Sequence, residues 1–167
     1  MYDELTAVDI KKMQEEIDYR TQVLRPKCIE DVKVARAFGD LSENFEYKAA
    51  KQEKNRNESR IRYLERMIKT AKVISSDSAN DVVGLFDKVT IYMEEDEEEM
   101  DIRIVTTLRQ NALEGLISKE SPVGKAVMGH KAGDRVLVQV NPDYGYYVVI
   151  RSITKGTDDE SMDISSY

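Results

Sequence analysis

Tryptophan is absent from the chain, cysteine and histidine occur once each, and phenylalanine and proline three times each. The single cysteine, Cys28, leaves no internal disulfide and no thiolate metal cluster. The single histidine, His130, leaves no His-rich metal site and no Cys–His nucleophile pair on one chain. No apolar run approaches the roughly 20 residues needed to cross a bilayer. The opening MYDELTAVDIKK has no apolar signal core, so a soluble, cytoplasmic protein with no membrane partner is expected. Excess positive charge is also missing. The 25 Lys+Arg stand against 32 Asp+Glu, which argues against a general duplex-DNA binder. Apolar residues are not scarce: at 41% of 167 residues they exclude wholesale disorder and leave room for one or two small domains.

Glycine and proline are unevenly spread. Residues 1–80 hold only Gly39 and Pro26, so the first half reads as long uninterrupted helix and the second as a turn-rich domain. Charge divides similarly, with net +2 over residues 1–74 and net −9 over residues 75–167. In the first half Ile10, Met13, Ile17 and Leu24 share a stripe that resumes after Pro26 as Cys28, Val32 and Ala35. Asn57, Ile61, Leu64, Ile68 and Ala71 recur at 4-3-4-3 spacing. Such narrow seams predict an antiparallel helical hairpin with arms of about 45 Å. Pro26 is expected to kink the first arm, and Gly39 to end it as a left-handed cap. The expected division is a coiled-coil finger over 1–75, a serine-rich linker over 76–81, a folded domain over 82–155 and an acidic, disordered tail over 156–167.

The second half switches to period two. Val89–Tyr92, Ile102–Val105, Val136–Val140 and Tyr146–Ile153 read as strands, with a further short one at Gly115–Ser118. Ser121 as N-cap, Pro122 at the first helical position and Gly129 beyond the end describe one short helix. The expected fold class is α+β: a two-helix hairpin followed by a small antiparallel sheet with one helix. The acidic run Glu94–Glu99 reads as a solvated hairpin loop, with diffuse divalent-ion binding as the alternative. His130 reads as a surface or capping residue and Cys28 as a small core residue.

The hairpin tip, Gly39-Asp40-Leu41-Ser42-Glu43-Asn44, is less ordinary. Asp40 and Glu43 have nearly the spacing of a capping box. Two carboxylates on an exposed tip are also partial ligands for a hard divalent cation, too few to hold Mg²⁺ unaided. Behind the tip, Lys48, Lys51, Lys54, Arg56, Arg60 and Arg62 face only Glu53 and Glu58, with Arg36 on the other arm. This is either a solvated face with helical ion pairs or a phosphate track for a single strand.

The segment Ala35–Lys51, with the hexapeptide Gly39–Asn44 followed by Phe45-Glu46-Tyr47, closely resembles the tip signature of the GreA/GreB family of bacterial transcript-cleavage factors. Leu24-Arg25-Pro26 matches the family's kinked first arm. Ile117-Ser118, Ser121–Ala126 and Gly133-Asp134 resemble its C-terminal domain. The small basic cluster places the chain on the GreA side. The resemblance implies an FKBP-like second domain and an accessory factor, not an enzyme. Such a factor binds RNA polymerase, inserts the finger into the secondary channel and stimulates cleavage of backtracked RNA. By the same resemblance, Asp40 and Glu43 are the tip acids, sharing Mg²⁺ with the polymerase while the free protein, a monomer, binds none. Ser42, Asn44 and Tyr47 support the tip; Arg36, Lys48 and Lys51 contact the RNA 3′ segment; Ser121 and Pro122 dock on the polymerase.

Two rival readings stay open. One is an inhibitory relative that occupies the channel without promoting cleavage, against which the intact Asp40/Glu43 pair argues. The other is an FKBP-like prolyl isomerase or chaperone, for which the aromatic supply is poor. The chain also departs from the family pattern over Val105–Glu114, in the loop at 94–99 and in the Asp158–Glu160 tail.

Overall fold

The structure, a computed structural model, describes residues 3–39, 43–158 and 160–165. It divides into two compact units. One consists of residues 10–71 and the other is built mainly from residues 3–9 and 72–167.

The first unit is helical. α1 (Ala7–Tyr19) passes through a π-helical turn (Arg20–Leu24) into α2 (Arg25–Arg36), and α3 (Phe45–Thr70) returns. The expected disturbance at Pro26 takes the form of this π turn. The Arg25 amide donates to the Arg20 carbonyl five residues back, one more than α-helical spacing. Proline lacks an amide donor and crowds the carbonyl four residues before it, and a locally widened turn relieves that clash. Cross-arm pairs descend on one arm as they rise on the other, which fixes the antiparallel register. Ala35 meets Asn44, Arg25 meets Glu58 and Glu16 meets Arg60.

Among the described residues of this unit, Met13, Ile17, Ala35, Ile61 and Leu64 are the buried apolar positions. A polar cluster interrupts the seam. Glu16 accepts from Arg60 Nε at 2.7 Å and from Arg20 Nε at 2.8 Å, and Asn57 Nδ2 donates to the Arg20 carbonyl at 3.2 Å. Asn57 therefore gives the carbonyl at the π turn a second partner. Burial pushes the Glu16 carboxyl up, but the Arg60 and Arg20 guanidiniums outweigh it and hold the group below its usual range. A lowered carboxyl stabilises the fold above its unfolded-state value and withdraws that support as pH falls through the folded value. The hairpin is therefore expected to lose stability below about pH 4.5. Glu16→Gln should flatten that part of the acid profile, measured by thermal melting at stepped pH; an unchanged profile would remove Glu16 from this role.

The second unit is a mixed sheet with one helix. β1 (Glu4–Leu5) pairs in parallel with β2 (Lys72–Val73). β3 (Lys88–Met93), β4 (Glu98–Val105), β5 (Leu116–Ser118), β6 (Arg135–Asn141) and β7 (Tyr144–Thr154) form a five-stranded sheet ordered β5-β4-β3-β7-β6. α4 (Pro122–Val127) lies between β5 and β6 in sequence. Alternation along β3, β4, β6 and β7 turns Val89, Ile91, Ile102, Ile104, Val136, Val138, Val148 and Ile150 into one core with Phe86 and Val127. The expected antiparallel sheet is corrected at one edge, because β4 and β5 run parallel. A parallel neighbour needs a crossover. It is supplied by Thr106–Gly115, which folds into two 3₁₀ turns, Thr107–Arg109 and Ala112–Glu114.

The expected boundaries also shift. Thr6 and Asp9 form a reciprocal cap at the start of α1: the Thr6 amide donates to Asp9 Oδ2 at 3.0 Å and the Asp9 amide to Thr6 Oγ1 at 3.3 Å. Asp9 Oδ1 lies 2.7 Å from Nε of Arg109, whose Nη1 and Nη2 donate to Asp158 at 2.9 and 3.1 Å. Thr6 Oγ1 donates to the same Asp158 at 2.8 Å. Arg109 is 1% exposed, and its guanidinium lies 5.7 Å from the Phe86 ring centroid. Lys119 pairs with Glu4. The first residues thus belong to the sheet unit and not to the finger.

The serine-rich stretch is held as well. Lys155 Nζ donates to Ser78 Oγ, to the Ala79 and Val82 carbonyls and to the buried Asp87. Among the described tail residues, Asp158 lies in the buried ion cluster and Met162 is 8% exposed. Asp158 supplies acceptors for the Nη1 and Nη2 donors of the buried Arg109, which Asp9 alone does not satisfy. Among the described residues, no helix is long and apolar enough to cross a membrane.

Candidate functional site

The tip is assembled by the end of α2 and the start of α3. The Ala37 amide donates to the Lys33 and Val34 carbonyls and the Phe38 amide to the Ala35 carbonyl, so the last turn tightens before the chain leaves. Gly39 has φ +127°, which a side chain would strain although the surrounding space is open.

α3 starts at Phe45 with Asn44 as its N-cap. Asn44 Oδ1 accepts the Tyr47 amide at 3.0 Å, and Nδ2 donates to the Ala35 carbonyl at 2.7 Å. One side chain therefore caps the second arm and ties it to the first. The capping-box alternative for the tip acids is corrected here. The helix begins after both of them, so Glu43 is an exposed turn residue and does not occupy the third helical position such a box requires. Asp40 and Ser42 lie outside the described residues. Asn44→Ala is expected to lower the hairpin's stability by about 1 kcal/mol, read as a drop in its melting midpoint by circular dichroism. Asn44→Ser should recover part of the loss, since it restores the cap but not the tie to Ala35. An unchanged midpoint for the alanine variant would show that the cap is dispensable.

The basic face narrows toward the tip. Arg60 is buried on Glu16, Arg56 pairs with Glu53 at 2.6 Å, and Arg62 donates to Ser59. Arg36, Lys48 and Lys51 remain exposed near the tip. The Arg36 guanidinium lies 5.6 Å from the Tyr47 ring centroid and, with Lys51 and Lys54, holds the Tyr47 phenol below its usual range. Lys48 Nζ lies 5.6 Å from the Phe45 ring centroid. Among the described residues, no group of three or more His, Cys, Asp or Glu side chains could hold a metal ion.

In the sheet unit, Ser121 Oγ accepts the Gly124 amide at 3.0 Å and donates to the Ser118 carbonyl, and exposed Pro122 follows as the first helical residue. A Cβ on Gly124 would lie 2.2 Å from the Ser118 carbonyl oxygen, which explains a glycine inside so short a helix. Two features of the site escape the sequence reading. One is the cap at Asn44, for which the residue type itself is the signal. The other is the exposure of Phe38 and Phe45, which flank the acids.

Residues 4–73 match the family described as transcription elongation factor, N-terminal, and residues 77–155 the family described as transcription elongation factor, GreA/GreB, C-term. A curated relative from Bacillus licheniformis, transcription elongation factor GreA, is 44% identical over 81% of this chain and 86% of its own. The GreA of Geobacillus kaustophilus is 45% identical over the same shares. The GreA of Streptococcus pneumoniae is 40% identical over 90% of this chain and 94% of its own. A solved structure of the GreA factor homolog 1 of Thermus thermophilus aligns over 93% of this chain and 100% of its own at a TM-score of 0.43 and 23% identity.

Proposed function

The chain belongs to the GreA/GreB family of transcription elongation factors, and from that premise we propose how its tip works. The protein is an accessory factor to RNA polymerase that stimulates transcript cleavage and is not itself the nuclease. The hairpin enters the polymerase's secondary channel when the enzyme has backtracked, and the face at half-buried Ser121 and exposed Pro122 docks on the polymerase.

Asp40 and Glu43 are the acids presented to the active centre. Together they would hold a Mg²⁺ ion jointly with the polymerase. When bound, that ion supplies Lewis-acid activation of the attacking water. The fit is that of an incomplete ligand set: exposed Glu43 is free of the helix-capping position, and a cation that wants six oxygens is not held by two carboxylates alone. The free protein therefore binds no Mg²⁺ tightly. Arg36, Lys48 and Lys51 lie behind the acids and attract the phosphates of the extruded RNA 3′ segment, while Asn44 and Tyr47 keep the two arms in register at the tip.

The observation that carries the reading is the Asn44 cap. It caps α3 without Glu43, which stands exposed in the turn before the helix. The test is to add the protein to a stalled, backtracked elongation complex and follow RNA length. Shortened transcripts with freshly extendable 3′ ends are expected. Binding without shortening would support the inhibitory alternative.

A further inference from the structure

Two of the three phenylalanines in the chain flank the tip acids in sequence, exposed to 68% at Phe38 and 80% at Phe45, while the third, Phe86, is wholly buried in the sheet core. Phe38 lies in the turn after α2 and Phe45 opens α3. With Glu43, Asn44 and Glu46 they line a shallow recess. Local structure does not demand either ring. The first position of a helix accepts most residues, and the cap at this one is made by Asn44. Two phenyl rings left in water on a small surface are therefore surplus to the fold, and such surplus marks a contact.

The surroundings select the partner. Two aromatic rings stand next to the acceptors of Glu43 and Glu46, with Lys48 beside Phe45 and Arg36 and Lys51 nearby on the two arms. Aromatic faces suit a nucleobase, carboxylates accept its N–H groups, and cations behind them meet its phosphates. An apolar peptide would use the rings but leave the carboxylates and lysines idle. Resting on the elongation-factor reading above, we propose that Phe38 and Phe45 form a stacking recess for an unpaired nucleobase of the extruded RNA, close to the acids. Phe45, the more exposed and flanked by Glu43, Glu46 and Lys48, makes the main contact. Stacking of this kind tolerates any base, as a factor acting on arbitrary transcripts requires.

The test uses the full chain and backtracked complexes whose extruded 3′ nucleotide carries either a normal base or an abasic sugar. With the normal base, Phe45→Ala is expected to slow single-turnover cleavage about tenfold, and Phe45→Tyr to restore most of it. With the abasic nucleotide, wild type should fall to the variant's rate and the substitution should change nothing further, so the two losses do not add. Phe38→Ala should behave likewise with a smaller loss. Both positions are exposed, so the variants fold, which helicity and melting temperature check. Two results overturn the proposal: wild-type cleavage rates for Phe45→Ala on the normal base, or a loss of the same size on the abasic nucleotide, which would move the ring's contact to the polymerase. Wild type that never shortens the RNA overturns the elongation-factor reading and this one with it.

Discussion

Asp40→Asn combined with Glu43→Gln is expected to cut stimulated RNA cleavage by about 100-fold or more while leaving the melting temperature and the affinity for polymerase nearly unchanged. Both amides keep the size of the carboxylates they replace. What they lose is negative charge, which a shared Mg²⁺ needs and a helix cap does not. The position of the cap makes the experiment clean. Asn44 closes the start of α3, and an unchanged helical signal by circular dichroism would show that loss of activity in the double variant is not a frayed helix. The same variant should need more Mg²⁺ to reach half its maximal rate. Normal stimulation at ordinary Mg²⁺ would leave the acids without a catalytic part and place the mechanism elsewhere.

Arg109→Met is expected to destabilise the sheet unit by about 3–5 kcal/mol, a fall in melting temperature of roughly 15 °C or more for a unit of this size. The substitution strands Asp9 and Asp158, both nearly inaccessible, without their shared counter-charge. The cluster holds two carboxylates to one guanidinium, and the surplus negative charge is offset by Asp9's place in the first turn of α1, where amide donors point outward. Asp9→Asn, Arg109→Met and Asp158→Asn together should recover much of the loss, because removing a buried ion cluster whole costs far less than breaking it. A fragment starting at residue 75 should be destabilised in the same way, since it discards Glu4, Thr6 and Asp9 along with the helical arm. Adding back residues 3–9 through a short linker should restore it. Fragment 75–167 melting like the sheet unit of the full chain would show the cluster to be an ornament.

Much of this architecture is legible in the residues. Alternating β-branched runs mark β3, β4, β6 and β7, and Ser121-Pro122 marks the start of α4, because these signals act over a few neighbouring residues. The seam through Ile61 and Leu64 is legible for the same reason. What stays hidden depends on partners far apart in sequence. Arg109 sits in the stretch that departs from the family pattern and Asp158 in the tail that does so, and each makes sense only beside the other. The run Thr6-Ala7-Val8-Asp9 carries the spacing of a reciprocal cap, yet the two-residue strands β1 and β2 are too short to show a period. At the tip, the hexapeptide identifies the site, but which of its polar residues caps the helix depends on where α3 starts, and that is set by the Asn44 bond to Ala35 across the hairpin. The basic track overstates its reach because charge counting does not reveal that Arg60 points inward to Glu16.

The hydrogen bond between Thr6 and Asp158 spans 152 positions of the chain, and it orders events during synthesis. A ribosome releases residues 3–9 before residues 10–71 of the helical unit, and both before the five-stranded sheet of the unit to which residues 3–9 belong. The hairpin is free to zip as soon as α3 has emerged. The sheet unit instead keeps an open seam until residue 158 is out, with Thr6, Asp9 and later Arg109 waiting on a carboxylate that is made after the last strand. A chain truncated shortly before Asp158 would therefore leave Thr6 Oγ1 without that acceptor and the buried Arg109 with Asp9 alone opposite it.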